Sequence, residues 1–145
     1  MKISTATTSD LGKLLRLYAH LNDDDAPSSH DDARKTFEQI SNAPGLSLLI
    51  GEIEEEAVTS CYLNIIPNLT RGCRSYALIE NVVTHRNYRR RGFGKQIIDA
   101  ALSAAWEAGC YKVMLLTGSS KAVPFYVACG FKADEKHGLL ARSPF

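Results

Sequence analysis

The sequence contains no apolar run near the roughly 18 residues that a membrane-spanning helix needs, and its first residues lack the pattern of a secretory signal. No membrane association is expected, and the cytoplasm is the expected location. Neither sign of charge dominates. Seventeen Lys and Arg face 16 Asp and Glu, for a formal charge of +1, which argues against a nucleic-acid binder and leaves room only for a local basic site. Cysteine is sparse: Cys61, Cys73, Cys110 and Cys129 form no C-x-x-C pair, so reduced, mostly buried thiols are expected in place of a disulfide framework. His20, His30, His85 and His137 form neither H-x-x-x-H nor H-E-x-x-H, and no metal is expected. Repeats and low-complexity tracts are absent as well.

The chain has 145 residues, 45% of them hydrophobic, which is enough for one domain spanning residues 1–145 with a core that needs neither metal nor disulfide. Met1 to Thr5 reads as a strand. Leu11, Leu14, Leu15 and Tyr18 then fall on one stripe of a helix over residues 9–21, after a Thr8-Ser9-Asp10 stretch suited to its N-terminus. The segment from Asn22 to Asp32 is acidic and contains Pro27, so it is expected to be loop. A second helix carries Ala33, Phe37 and Ile40. Ser47 to Ile53 and Ala57 to Ile66 read as strands joined by a solvated turn at Glu54-Glu55-Glu56. Ser75 to Thr84 is a long strand. Lys95 to Ala108 is a helix with Ile97, Ile98, Ala101, Leu102 and Ala105 on one face and Gly109 placed to end it. Tyr111 to Leu116 is an apolar run of strand length, a short helix covers Lys121 to Cys129, and a last strand starts at about Leu139. The alternation defines a mixed α/β domain.

Chemistry concentrates in the turn Arg86-Asn87-Tyr88-Arg89-Arg90-Arg91-Gly92-Phe93-Gly94-Lys95, which joins the long strand to the following helix. Backbone N–H groups at a helix start are unpaired, and the helix dipole favours an anion there. Two glycines let a phosphate approach the backbone, and the arginines and Lys95 add charge. The turn is a cradle for phosphate or pyrophosphate. It contains neither G-x-x-x-x-G-K-[ST] nor G-x-G-x-x-G, which argues against kinase and dinucleotide readings.

Arg89-Arg90-Arg91-Gly92-Phe93-Gly94 resembles the R/Q-x-x-G-x-G/A signature of the GCN5-related N-acetyltransferase superfamily, and the segment from Ala122 to Phe131 is similar to that family's A-x-x-F-Y-x-x-x-G-F. The resemblance covers about residues 75 to 132. It implies a mixed, mostly antiparallel sheet flanked by helices, with two central parallel strands splayed to admit acetyl-CoA. It also implies an N-acetyltransferase that moves the acetyl group of acetyl-CoA to a primary amine by direct attack in a ternary complex, without a metal. The alternative that the resemblance leaves is a domain that binds acyl-CoA without turning it over, against which Tyr126 argues.

Carried over residue by residue, the resemblance places the cofactor's pyrophosphate on the backbone amides of Arg90, Arg91, Gly92, Phe93, Gly94 and Lys95, with Arg89 opening the motif. Val82, Val83 and Thr84 supply backbone hydrogen bonds to the pantetheine arm, which adds like a strand, and an N–H near Val83 stabilises the thioester oxyanion. Tyr126 matches the tyrosine that protonates the departing thiolate; an ordinary phenol, with a pKa of about 10, holds its proton at neutral pH. Glu80 is the implied base, acting through water. Many relatives carry Asn where this chain has Ser119, whose shorter hydroxyl replaces part of that contact to pantetheine.

The run Ile79-Glu80-Asn81-Val82-Val83-Thr84 is also similar to a strand of the amino-sugar-phosphate acetyltransferases, which are small dimeric members of the superfamily, so a homodimer is implied along with a small acceptor. Charge makes a different point: Asp23, Asp24, Asp25, Asp31 and Asp32 would attract a cationic amine, and the resemblance places this segment, after the first helix, at the mouth of the acceptor site. Amino acid, polyamine, antibiotic, amino sugar and protein acceptors all stay open at this level.

Overall fold

A computed structural model of the chain describes residues 1–21 and 29–144. Asp23, Asp24 and Asp25 lie outside the described residues. Two compact units make up the chain, Met1–Leu115 and Leu116–Phe145.

The first unit is built on a five-stranded sheet in the order β1 (Lys2–Thr5), β2 (Leu46–Ile53), β3 (Glu56–Ile66), β4 (Tyr76–Thr84) and β5 (Val113–Met114). The first three pairings are antiparallel, and β4 pairs with β5 in parallel. The β2–β3 hairpin turns through Glu54 and Glu55, both at positive φ, a conformation that matches the twist of the strands it joins.

α1 (Leu11–Tyr18) and α2 (His30–Asn42) cover one face of the sheet. Leu11, Leu14 and Leu17 recur at helical spacing and are buried, each contributing about 1.5–3 kcal/mol by leaving water. They meet Phe37 of α2, Leu48 and Ile50 of β2, and Val83 of β4. A 3-10 turn at Thr8–Asp10 precedes α1, with Asp10 accepting from the Thr7 N–H at 2.8 Å. α2 starts earlier than the acidic composition implies. The Ser29 hydroxyl accepts from the Asp32 N–H at 3.1 Å, so His30, Asp31 and Asp32 form its first turn, where carboxylates are favoured by the dipole. Asp31 and Asp32 are therefore helix and not loop.

A single turn, α3 (Thr70–Cys73), carries three residues at positive φ, Arg71, Gly72 and Cys73, and leads into β4. The opposite face of the sheet is covered by α4 (Phe93–Glu107), through the buried Ile97, Ile98, Ala101 and Ala105. Cys61 of β3 faces it, with the thiol 4.0 Å from the Ile97 carbonyl. Burial pushes that thiol up to about 12, so it carries no thiolate at neutral pH. Gly109, at φ 75°, ends α4: its N–H bonds Trp106 and that of Cys110 reaches back to Ala105, the paired closure that a left-handed residue permits.

In the second unit a 3-10 turn at Ser120–Ala122 runs into α5 (Val123–Ala128), with Pro124 in the first turn, where its missing N–H is tolerated. The expected last strand is not formed among the described residues. Leu139 and Leu140 are 93% and 69% exposed, without the backbone ladder that would make a strand of them. The parallel pair β4–β5 consequently stands at one edge of the five-stranded sheet, where the expectation put it at the centre.

All four cysteines are free, with Cys61, Cys110 and Cys129 buried and Cys73 exposed. No described helix is long and apolar enough to cross a membrane.

Candidate active site

β4 parts from β5 after two residues. The parallel ladder joins Ala77 to Val113 and Leu78 to Met114 and stops there, which leaves one edge of β4 unpaired from Ile79 onward.

A β-bulge then changes which backbone groups reach that edge. Ser60 stands opposite Val83 and Tyr62 opposite Glu80, so the single residue Cys61 faces both Asn81 and Val82. Asn81 takes up the extra residue at φ 50°, a conformation that Asn tolerates better than most side chains.

Beyond the bulge, the His85 N–H donates to the Val58 carbonyl at 2.9 Å. Antiparallel pairs alternate between exchanging hydrogen bonds and facing away, so Ser60 and Val83 form the next bonded pair. The Val83 backbone is thus turned to β3, and its carbonyl also accepts from the Thr59 hydroxyl at 2.8 Å. Val82 and Thr84 are the residues whose backbone is turned to the open edge. Glu80, half-buried on the face it shares with Tyr62, makes no hydrogen bond or ion pair with any described residue.

The basic turn follows directly. Gly92 caps α4 at φ 82°, and a Cβ built on it meets nothing within 4 Å; glycine is required there by the backbone angle. The first bond inside α4 is from Gln96 N–H to the Gly92 carbonyl, at 3.1 Å. The helix thus starts at Phe93 and Gly94, whose position ahead of that bond is where backbone N–H groups have no acceptor within a helix, the kind of helix start that suits an anion.

The charges around this end are partly committed. Lys95 reaches both carboxylate oxygens of Asp99, at 2.7 and 2.8 Å. The Arg91 guanidinium lies 5.4 Å from the centre of the Tyr88 ring. The Tyr88 hydroxyl donates to Glu56 at 2.7 Å, and this bond, more than burial, raises its pKa. Arg89 uses Nε on the Thr84 carbonyl at 3.1 Å and Nη2 on the His20 carbonyl at 2.9 Å. His20 and the bulge at Asn81 carry no signal in the sequence, because the bonds that define them join residues far apart in the chain or replace a glycine with Asn.

In the second unit, Tyr126 is half-buried on α5, edge-on to Phe125 at 5.0 Å and to Phe131 at 6.1 Å. Ser119 is exposed at the start of its 3-10 turn, where its side chain makes no cap bond. Among the described residues, no group of three or more His, Cys, Asp or Glu is arranged to hold a metal ion.

A splayed edge strand that runs into an anion-binding helix start suits an extended thioester with a pyrophosphate at one end, which is the cosubstrate of an acetyl-CoA-dependent transferase. The chain belongs to the acetyltransferase (GNAT) family, whose model matches residues 14–131, and it is an N-acetyltransferase. It is similar to glucosamine 6-phosphate N-acetyltransferase of Trypanosoma brucei brucei, with 32% identity over 138 residues that cover 94% of this chain and 92% of the relative. Among solved structures it resembles a candidate acetyltransferase of Agrobacterium tumefaciens str. C58, at a TM-score of 0.94 and 39% identity over 99% of this chain and 100% of that one. It also resembles glucosamine-6-phosphate N-acetyltransferase of Arabidopsis thaliana, at a TM-score of 0.87 and 25% identity over 99% and 98% of the two chains.

Proposed function

We propose that the acceptor is the amine of a phosphorylated amino sugar, glucosamine 6-phosphate. The observation that carries this reading is the 32% identity to the trypanosomal enzyme across nearly the full length of both chains. The run Ile79 to Thr84, which holds Glu80 and the bulge, lies inside the matched region.

In this reading residues 1–145 act as one catalytic domain. The amides from Arg90 to Lys95 hold the pyrophosphate of acetyl-CoA, and Val82 and Thr84 hold the pantetheine arm along the open edge of β4. Ser119 supplies a hydroxyl to the same arm. Glu80 takes a proton from the ammonium through water, and the free amine attacks the thioester carbonyl. The Val82 N–H receives the oxyanion, the C–S bond breaks while Tyr126 protonates the thiolate, and the second proton that the attacking nitrogen loses passes to water, from which Tyr126 is reprotonated. N-acetylated sugar phosphate and free CoA leave.

We also assign the enzyme to the cytoplasm as a homodimer, with the exposed Leu139 and Leu140 as the apolar surface that association would cover. No metal takes part.

The test is a panel of amines with acetyl-CoA, read as free thiol: glucosamine 6-phosphate, glucosamine, a polyamine, an aminoglycoside and a lysine peptide. Glucosamine 6-phosphate is expected to give the highest kcat/KM, at least 10-fold above glucosamine. Equal rates with the two sugars would remove the phosphorylated acceptor, and cofactor binding without turnover of any amine would favour the non-catalytic alternative.

A further inference from the structure

Arg89 opens the sequence motif and is expected, from the motif alone, to bind the cofactor. Its side chain is engaged elsewhere. The guanidinium forks across two backbone carbonyls on different elements: Thr84, on the edge of β4 beyond the last pair with β5, and His20, just past the C-terminal end of α1. The second carbonyl sits at the negative end of a helix dipole, where a cation is stabilised. A second strut runs parallel to the first, because Arg86 Nε donates to His20 Nδ1 at 3.0 Å. The His20 ring in turn stands edge-on to His85 at 4.2 Å, and His85 Nδ1 accepts from the Asn87 N–H at 3.2 Å.

Leu17, Tyr18 and Leu21 pack this end of α1 against the core, and the polar bonds add to that packing beside a groove of about 400 Å³ lined among others by Arg16, His20, Glu56 and His85.

We propose that Arg89 is a positioning residue, working through the two carbonyls and not through phosphate. It ties the end of β4 to the end of α1 and so sets the path of the turn from His85 to Gly92, whose amides must converge on the pyrophosphate. A planar fork presents Nε and Nη2 as two fixed donors to two carbonyls on different elements; a lysine ammonium keeps the charge and loses that fixed geometry. Charge and fork are therefore separable by substitution.

The proposal rests on the turn being the pyrophosphate site, and the experiment keeps the two apart. Amide hydrogen exchange is measured on the ligand-free protein for wild type, Arg89→Lys, Arg89→Ala and Arg91→Ala, and CoA affinity is measured by calorimetry on the same four. For Arg89→Lys and Arg89→Ala alike, faster exchange is expected at residues 20–21 and 85–92, with the β2–β3 amides unchanged, and CoA affinity is expected to fall by about 10-fold or more. Arg91→Ala is expected to leave ligand-free exchange unchanged. The proposal is overturned if Arg89→Lys keeps wild-type exchange and CoA affinity within about 3-fold while Arg89→Ala loses affinity, since charge near phosphate would then be the whole role. If Arg89→Ala does not fold, Arg89→Lys alone decides between these outcomes. If wild type fails to bind CoA, the pyrophosphate assignment fails, and the exchange comparison still tests the clasp.

Discussion

Thr59 and Val83 are joined by a hydrogen bond that has nothing to do with the sheet ladder: the buried Thr59 hydroxyl, on β3, donates to the Val83 carbonyl on β4 at 2.8 Å. It pins the residue that follows Val82 and so steadies the bulge from behind. Thr59→Val keeps the shape and removes the donor. Stability is expected to fall by about 1–2 kcal/mol, read as a lower urea midpoint at unchanged slope, with most of it retained in Thr59→Ser. An unaltered midpoint in Thr59→Val would mean that the ladder bond from Ser60 satisfies this carbonyl by itself.

Gly92→Asp places a side chain at φ 82° and a carboxylate where pyrophosphate oxygens are to sit. Backbone strain and charge repulsion act together, and CoA affinity is expected to drop on the order of 100-fold or more. Calorimetry with equal affinity in the variant and the wild type would remove the pyrophosphate from this turn.

Tyr126→Phe preserves the edge-on contacts with Phe125 and Phe131 and deletes the hydroxyl. If that hydroxyl protonates the thiolate, kcat is expected to fall by about 10²- to 10⁴-fold with little change in the KM of acetyl-CoA. A single-turnover rate equal to that of wild type would give the proton to water.

Glu80 makes no bond to a described residue, so its carboxylate is available for a water and the acceptor's ammonium. If Glu80 is the base, Glu80→Gln is expected to lower turnover most at acid pH and to move the acidic limb of the pH–rate profile upward, because the free amine would then arise without it. A superimposable profile would take the role away from Glu80.

Much of the fold is legible because local patterns and burial agree. Leu11 and Leu14 mark α1, although the buried stripe continues through Leu17 and leaves the expected Leu15 exposed, the Glu54–Glu56 turn separates two strands, and Gly109 ends α4 where the apolar stripe ends. The errors have specific causes. Asp31 and Asp32 look like loop by composition, yet Ser29 is a capping residue and turns the same carboxylates into helix-start residues. Tyr111 to Leu116 has strand composition, but only Val113 and Met114 pair, since β4 veers away. At the site, the motif locates the turn, and alternation along β4 becomes readable only once the bulge at Asn81 is seen; a non-glycine residue at positive φ announces nothing in the sequence. The carbonyl partners of Arg89 are equally silent, being 5 and 69 positions away.

Asp10 supplies a stability probe. Its carboxyl is held below the ordinary 3.8, chiefly by the backbone hydrogen bond from Thr7, with Lys13 adding a smaller attraction. A lowered value means that the ionised form stabilises the folded state above about pH 4, and that this stabilisation fades as pH falls through the folded-state value. Asp10→Asn is thus expected to be less stable than wild type at pH 7, and the two proteins are expected to converge between pH 4 and pH 2 in thermal unfolding. A gap that stays constant over that range would assign the cost to geometry at the cap and not to charge.

The sheet order β1-β2-β3-β4-β5 follows the chain without a crossing, and this has a kinetic corollary. The β2–β3 hairpin closes through a two-residue turn, so it can form early and serve as a template for β4. The parallel joint between β4 and β5 has to wait for α4 to form and dock, because the ends it unites are separated by that whole helix, and it then gains only two residue pairs. The splayed edge is therefore the last seam to close during folding and the first to open during partial unfolding. Catalytic competence becomes a late folding event: a chain trapped one step short of the native state would have native-like hairpin content and no usable thioester site.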